Sequence, residues 1–278
     1  MGHHYRPPTD NHGLDHVVTF DIETIVDDQP EDGSFPPWPM HRPVAAAFLK
    51  ADWRTPGCYE FNLQTLICTP DDEREFLEQV NALLPVGVTG VSYNGRGFDL
   101  PVLQLRAMIT GCFDLEGLSN QSHAQRFGRD HCDLLDQFSA YGATKKVSLA
   151  ELCGPLGIPV KTSTCGSEVG DLWRAGNIEA IARYVEEDVI ATYILWLFKS
   201  AFRNNDESRI VVPLSDLTRW IERSPELAHL APFTTCRPAN WARSRAVLHA
   251  VQSALDHAER RVRVAADDRA FSGEPPIF

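Results

Sequence analysis

The segment HVVTFDIET, residues 16–24, decides the fold that we expect for this chain. Apolar residues alternate along it and favour a strand, in which successive side chains point to opposite faces of a sheet. Asp21 and Glu23 are two residues apart, so both carboxylates share one face of that strand. Like charges held side by side repel unless something positive lies between them. A hard divalent cation with oxygen ligands meets that need, so the segment predicts a metal site.

Two later segments carry the carboxylates that would complete such a site: YNGRGFDLPVL at 93–103 and RYVEEDV at 183–189. Asp99 follows a predicted strand and stands at the start of a predicted helix. Asp188 lies on a helix predicted from its apolar periodicity, with Tyr184 one turn earlier on the same side. Together with the first pair, these residues give four carboxylates, which suit two-metal phosphodiester chemistry.

The remaining pattern predicts helices and strands in alternation. Strands are expected at 43–51, 58–68 and 87–94, and helices at 69–85, 146–159 and 177–199. Loops are expected at 27–43, 114–131 and 161–171. Residues 205–278 change in character, from irregular or briefly helical sequence to a helical stripe of Leu248, Val251, Leu255, Ala258 and Val262. We predict a flexible N-terminus at 1–14, one domain at 15–204 and a helical C-terminal extension at 205–278.

Composition limits the classes of function. The net charge is −12, and residues 206–278 hold ten basic and ten acidic residues, so the acidic excess lies in 1–205. Such a chain is a poor non-specific ligand for duplex DNA, because neutralisation of phosphates supplies that affinity. The seven cysteines include no Cys-x-x-Cys pair and favour reduced thiols over a zinc site. With no apolar run of membrane-spanning length, we expect a soluble cytoplasmic protein.

The three acidic segments resemble the motifs of the DEDD 3′–5′ exonucleases, in the tyrosine subclass. The matching residues are Asp21 and Glu23 for Asp-x-Glu, Asn94, Phe98 and Asp99 for Asn-x(3)-Phe-Asp, and Tyr184 and Asp188 for Tyr-x(3)-Asp. The connecting sequence, including CDLLDQFSAYGATKKVSLAELCGPLGIPVK, is similar to predicted exonucleases that resemble the proofreading domain of family B DNA polymerases. The resemblance covers about residues 15–200.

This resemblance implies a ribonuclease H-like α/β fold of three layers, with a mixed sheet flanked by helices. It also implies a metal-dependent 3′–5′ exonuclease that acts on single-stranded DNA and releases 5′-mononucleotides. By analogy, Asp21 would bridge two Mg²⁺ or Mn²⁺ ions, Glu23 and Asp188 would complete the tighter site, and Asp99 would hold the second ion. Tyr184 would orient the attacking water.

Substrate contacts are predicted for Ile22, Thr24, Asn94 and Phe98, and other roles for some of these residues stay open. Asn94 and Gly95 form a common turn pair, and Phe98 could be a core aromatic rather than a base-stacking residue. Asp99 also suits the N-cap of the helix that Pro101 would start. Asp133 is expected to cap a helix or orient a loop, with a supporting role behind the site as an alternative.

Two other functions stay open. The same site could trim RNA, as in ribonuclease D, or degrade very short oligonucleotides, because a contact to the 2′-hydroxyl group decides between the polymers. A nuclease fold that serves as a nucleic-acid-binding scaffold subunit is the alternative from another class. That alternative predicts the loss of a carboxylate, whereas all four are present together with Tyr184. A protein partner is not identifiable from the sequence.

Overall fold

A mixed sheet of five strands forms the centre of the protein. The computed structural model describes residues 16–28, 30, 34–55, 58–160, 166–248 and 251. The strands are β1 (His16–Ile25), β2 (Arg42–Thr55), β3 (Cys58–Ile67), β4 (Thr89–Ser92) and β5 (His131–Asp133). Their order across the sheet is β3-β2-β1-β4-β5. The first three strands form an antiparallel meander, and β4 and β5 continue the sheet parallel to β1.

Helices connect and cover the strands. The α-helices are α1 (Glu73–Leu83), α2 (Asp99–Ile109), α3 (Glu116–His123), α4 (Leu134–Phe138), α5 (Leu149–Leu156), α6 (Gly166–Arg174), α7 (Ile178–Asn204), α8 (Ser208–Arg223) and α9 (Ala231–Thr235). Short 3₁₀ helices lie at Trp38–Met40, Ala140–Gly142 and Pro225–Leu230. Residues 237–248 are also helical.

The strand β1 is buried on both faces and thereby joins two hydrophobic cores. Val18, Phe20 and Ile22 pack with α1, α2 and α3 on one side of the sheet. Val17 faces the other side, where α7 and α8 supply most of the packing. The predicted α/β architecture, a mixed sheet between helical layers, is confirmed.

The longest helix, α7, lies across the sheet. The Asn177 side chain caps its first turn by accepting a hydrogen bond from the amide of Ala180 at 3.3 Å. Ile181, Val185 and Val189 are buried along one stripe of the helix, as its apolar period predicted. The helix ends at Asn204, where Asn205 adopts a left-handed conformation that stops the turn.

Two predicted loops are wrong, because each contains a helix. The polar α3 lies within 114–131, and its Leu118 is buried and donates its amide to the Asn81 side chain at 3.1 Å. Tertiary contacts therefore stabilise a segment of low intrinsic helix propensity. The helix α6 covers most of the other loop, and its half-buried Leu172 and Trp173 pack on the core that contains α7.

The segment after α7 is also more regular than we expected. The sequence around Pro213 predicted irregular or briefly helical structure, yet α8 is a helix of 16 residues. Leu214 and Leu217 are fully buried against the sheet and α7. The Asp216 carboxylate accepts a hydrogen bond from the amide of Tyr59 at 2.9 Å, which ties α8 to the edge strand β3.

Residues 208–236 thus contribute to the same hydrophobic core as the sheet and α7. The predicted domain boundary at 204/205 stays a prediction. The apolar stripe beyond residue 251 and the N-terminus at 1–14 lie outside the described residues.

Shortening a core side chain of α8 tests this packing. Leu217→Ala should lower the free energy of unfolding by about 2–5 kcal/mol, because it leaves a cavity beside α7. Val247→Ala, at a position 63% exposed, should change it by less than about 0.5 kcal/mol. Urea unfolding of both variants measures the difference, and equal effects would show that α8 unfolds independently of the sheet.

Candidate active site

The strand β1 presents Asp21 and Glu23 on the face that α7 covers. Both carboxylates are half-buried near the carboxyl end of the strand, beyond the residues of β1 that pair with β4. The opposing residues of β2 are small: Ala47 pairs with Asp21, and Ala45 pairs with Glu23. The pairing register shifts immediately afterwards, where Thr24 lies opposite Pro43. Small partners and an irregular edge leave room around the two carboxylates.

The helix α7 brings a third carboxylate to this pair. Carboxylate oxygens of Asp21, Glu23 and Asp188 all lie within 4.8 Å of one another. Tyr184 lies one turn before Asp188 and forms a hydrogen bond with it. The spacing of four residues therefore places a phenol and a carboxylate side by side at the strand pair.

The fourth carboxylate enters from the other helical layer. Asp99 is the first residue of α2 and is 3% exposed. Its Oδ1 accepts a hydrogen bond from the amide of Ile22 at 3.1 Å, and its side chain is hydrogen-bonded to Asp21. The alternative that Asp99 is the N-cap of this helix is wrong, because Phe98 occupies the N-cap position and Asp99 is already helical. Asp99 thus connects α2 to the strand residue between the two carboxylates of β1.

The loop that precedes α2 is anchored from behind by Asp133. Its Oδ1 accepts the amide of Asn94 at 3.1 Å, and its Oδ2 accepts the amide of Arg96 at 2.9 Å. The same Oδ1 accepts the amide of Asp136 and so caps α4. Asn94 has a φ of 68°, and a Cβ on Gly97 would come within 2.6 Å of its Oδ1. Asp133 thus both caps a helix and fixes the shape of the loop, as the two alternatives proposed.

The remaining predicted substrate residues, Phe98, Thr24 and Ile22, differ in whether their side chains face the site. Phe98 packs edge-on against the His41 ring, with centroids 4.8 Å apart. The Thr24 hydroxyl is 2.7 Å from His41 Nδ1. The Ile22 side chain points into the other core and is 5% exposed. Its backbone amide already donates to Asp99 and is not available to a substrate. A substrate contact of Ile22 stays a prediction.

Two further residues of this site were not found from the sequence. His41 joins Thr24 to Phe98, and Phe35 lies against the His41 ring at a centroid distance of 5.1 Å. Both residues belong to an aromatic and proline-rich segment, FPPWPMHRP at 35–43, for which the sequence predicted only a loop. Loop sequence carries no period, so its contacts with the site could not be deduced.

Burial and mutual repulsion raise the pKa values of this group. Burial raises the pKa of Asp21 well above its usual range, and the charges of Asp99, Glu23 and Asp188 raise it further. The pKa of Glu23 is raised by burial and then by Asp188 and Asp99. Burial raises the pKa of Asp99 to about 7, against the lowering effect of hydrogen bonds from backbone amides. The pKa of Tyr184 is raised by burial and then by Asp188, so its phenol is protonated at neutral pH.

These residues fit divalent cations of the magnesium type. The donors are carboxylate oxygens, which Mg²⁺ and Mn²⁺ prefer over nitrogen or sulfur ligands. Every charge that acts strongly on Asp21 is negative, so a cation between the carboxylates would relieve their repulsion and lower their pKa values. Asp21, Glu23 and Asp188 are close enough to share one ion, and Asp99 lies beside them.

Comparison with known families identifies the chain. A family model described as a predicted 3′–5′ exonuclease related to the exonuclease domain of PolB matches residues 33–236, nearly three quarters of the chain. The chain belongs to this family. The match includes the segments of Asp99 and Asp188, whereas Asp21 and Glu23 lie just before it. The protein is therefore a 3′–5′ exonuclease.

Two solved structures illustrate the similarity to known folds. The family B DNA polymerase of Pyrobaculum calidifontis is 22% identical, with a TM-score of 0.45 over 75% of this chain and 29% of that one. A zinc-bound complex of E. coli ExoI with ssDNA is 18% identical, with a TM-score of 0.39 over 71% of this chain and 43% of that one. The chain thus spans less than half the length of either structure.

Comparison with curated proteins gave no match. Within the described ranges, no helix is both long enough and apolar enough to cross a membrane.

The buried carboxylates should make the metal-free exonuclease less stable as the pH rises. Asp99 has a folded-state pKa of about 7, above the usual value for Asp, so its stabilising contribution is complete at low pH and lost as the pH rises through 7. Relative to wild type, Asp99→Asn should therefore gain about 1–3 kcal/mol of unfolding free energy between pH 5.5 and 8.5.

Urea unfolding in the presence of a chelator measures this change. Asp114→Asn, at an exposed site beyond the other end of α2, is the control and should show no such trend. A difference between Asp99→Asn and wild type that stays constant with pH would contradict the assignment of Asp99 as a buried, repelled carboxylate.

Proposed function

We propose that this exonuclease degrades single-stranded DNA from its 3′ end by a two-metal mechanism and releases 5′-mononucleotides. The observation that carries the proposal is the convergence of Asp21, Glu23 and Asp188 within 4.8 Å, with Asp99 bound to the same strand. Carboxylates from two helices and a central strand meet at one point although they are far apart in sequence. Their shared burial costs free energy that a merely structural role does not explain.

The four carboxylates would hold two Mg²⁺ or Mn²⁺ ions. We assign Glu23 and Asp188 to one ion, Asp99 to the other, and Asp21 to both. When bound, such ions supply Lewis-acid stabilisation of a phosphodiester and lower the pKa of a water molecule. The chain itself supplies rigid placement, because β1 is paired with β2 at Asp21 and Glu23, and Asp99 is fixed by the amide of Ile22.

Tyr184 would position the attacking water. Its phenol stays protonated at neutral pH, so it can donate a hydrogen bond but cannot serve as a general base. The phenol donates its one hydrogen to the Asp188 carboxylate, so it would orient the water by accepting a hydrogen bond at its oxygen. We therefore assign Tyr184 an orienting role beside the carboxylates.

The terminal nucleotide would lie between β1 and the loop that precedes α2. Asn94 is placed by its left-handed backbone and by Asp133, and Phe98 lies next to Asp99. We assign these two residues and Thr24 to contacts with the terminal nucleotide. Ile22 would contribute through its backbone carbonyl, because its side chain is buried and its amide is bound by Asp99.

Two observations favour single-stranded DNA. The family is related to the exonuclease domain of a DNA polymerase, which supports DNA over RNA. The net charge of −12 opposes extended contact with a duplex and favours a short single-stranded segment at the site.

A labelled oligonucleotide tests this function. With Mn²⁺ or Mg²⁺, the wild-type protein should shorten 5′-labelled single-stranded DNA in single-nucleotide steps, and faster than RNA of equal sequence. Asp21→Ala and Asp188→Ala should each reduce the rate by at least about 10²-fold, because each removes a proposed metal ligand. Asp114→Ala is the control for lost surface charge and should match wild type. Intact DNA with the wild-type protein would contradict the proposal, and faster cleavage of RNA would correct its substrate.

Removing the Tyr184 hydroxyl group separates positioning from metal binding. Tyr184→Phe should lower kcat by roughly 10- to 10²-fold, since one orienting hydrogen bond is lost. The dependence of the rate on Mn²⁺ concentration should stay that of wild type, because no proposed ligand changes. A shift of that dependence to higher Mn²⁺ would instead place Tyr184 in metal binding.

A further inference from the structure

The exposed ring of Phe35 is the most unusual feature near the carboxylates. It is 70% exposed, although aromatic side chains of this size contribute most to stability when they are buried. One face of the ring is stacked on His41, with an interplanar angle of 28°. Phe98 lies at its side, with ring centroids 5.9 Å apart. The opposite face of Phe35 is therefore the open one.

The segment that carries Phe35 is fixed to the active site at two points. His41 Nε2 lies 3.2 Å from the carbonyl oxygen of Pro36, which can only accept, so Nε2 carries the hydrogen. Burial lowers the pKa of His41, which is therefore neutral. Its Nδ1 then accepts the hydrogen bond from the Thr24 hydroxyl at 2.7 Å. One histidine thus joins the residue after Glu23 to the backbone beside Phe35.

The backbone of this segment is rigid for its length. Three prolines, Pro36, Pro37 and Pro39, restrict its φ angles. The amide of Met40 donates to the carbonyl of Pro37 at 3.0 Å, and the amide of His41 donates to that of Trp38 at 3.1 Å. The open aromatic face is therefore held in place before any ligand arrives, which lowers the entropy cost of binding.

We propose that Phe35 stacks on one of the two bases at the 3′ end of the substrate. A flat aromatic face with no side-chain hydrogen-bonding group accepts any base, because every base offers a π-face. This role suits an enzyme that removes nucleotides regardless of sequence. Contacts with His41 place Phe35 beside the site. His41 contacts Phe98, the residue before Asp99, and is hydrogen-bonded to Thr24, the residue after Glu23. The inference rests on the proposed function for its substrate.

The test compares a normal oligonucleotide with one whose two 3′-terminal nucleotides are abasic. Binding of fluorescent single-stranded DNA is measured by anisotropy in an Asp21→Asn background, so that hydrolysis does not interfere. Adding Phe35→Ala should weaken binding of the normal oligonucleotide by roughly 5- to 150-fold, the loss expected for one base–aromatic stack. It should change binding of the abasic oligonucleotide by less than about twofold.

Two control variants separate stacking from other effects. Phe35→Trp retains a flat face and should bind the normal oligonucleotide within about threefold of the Asp21→Asn parent protein. Phe202→Ala removes a ring that is 83% exposed, fourteen residues beyond Asp188 on α7 and so about 21 Å away along the helix. It should leave both affinities unchanged.

Three results would overturn the inference: no measurable binding of the normal oligonucleotide, an unchanged affinity in Phe35→Ala, or equal weakening with both oligonucleotides. The wild-type cleavage assay separates this failure from that of the proposed function. A wild-type protein that shortens DNA while Phe35→Ala binds normally would leave the exonuclease proposal standing and remove only the stacking role.

Discussion

The concentration of negative charge at the central strand is the constraint on which the rest of this structure depends. The strand β1 is paired with β2 at both positions, so Asp21 and Glu23 cannot turn away from the face that α7 covers without breaking that pairing. Asp99 and Asp188 approach the same point from opposite helical layers, and each carboxylate raises the pKa of Asp21. A site of this kind destabilises the metal-free fold and favours whatever cation neutralises it.

The surrounding structure accommodates this charge in specific ways. The neighbouring strand offers alanines opposite the carboxylates and a proline where the register shifts, which leaves space at the carboxyl end of β1. Asp133 holds the loop before α2 through two backbone amides, and thereby sets where that helix begins. The 27-residue helix α7 packs into a continuous core with the sheet and α8, so Tyr184 and Asp188 are placed by a rigid element.

The residues with a clear period were predictable from sequence, and those placed by tertiary contacts were not. Alternation placed the carboxylates of β1 on one face, and the helical period placed Tyr184 beside Asp188, because these relations depend on local geometry alone. The helix α8 was missed because Pro213 usually interrupts a helix, whereas here a buried stripe stabilises it. The contact from Phe35 through His41 to Thr24 depends on the path of a loop, which no local pattern specifies.

Calorimetric titration with Mn²⁺ tests the central claim, that carboxylates from β1 and α7 form one cation site, most directly. The account predicts that the wild-type protein binds Mn²⁺ and that Asp21→Asn and Asp188→Asn each weaken this binding by at least about tenfold. Asp114→Asn, which removes an exposed carboxylate elsewhere, should bind like wild type. Absence of binding to the wild-type protein, or equal binding by all four proteins, would contradict the account.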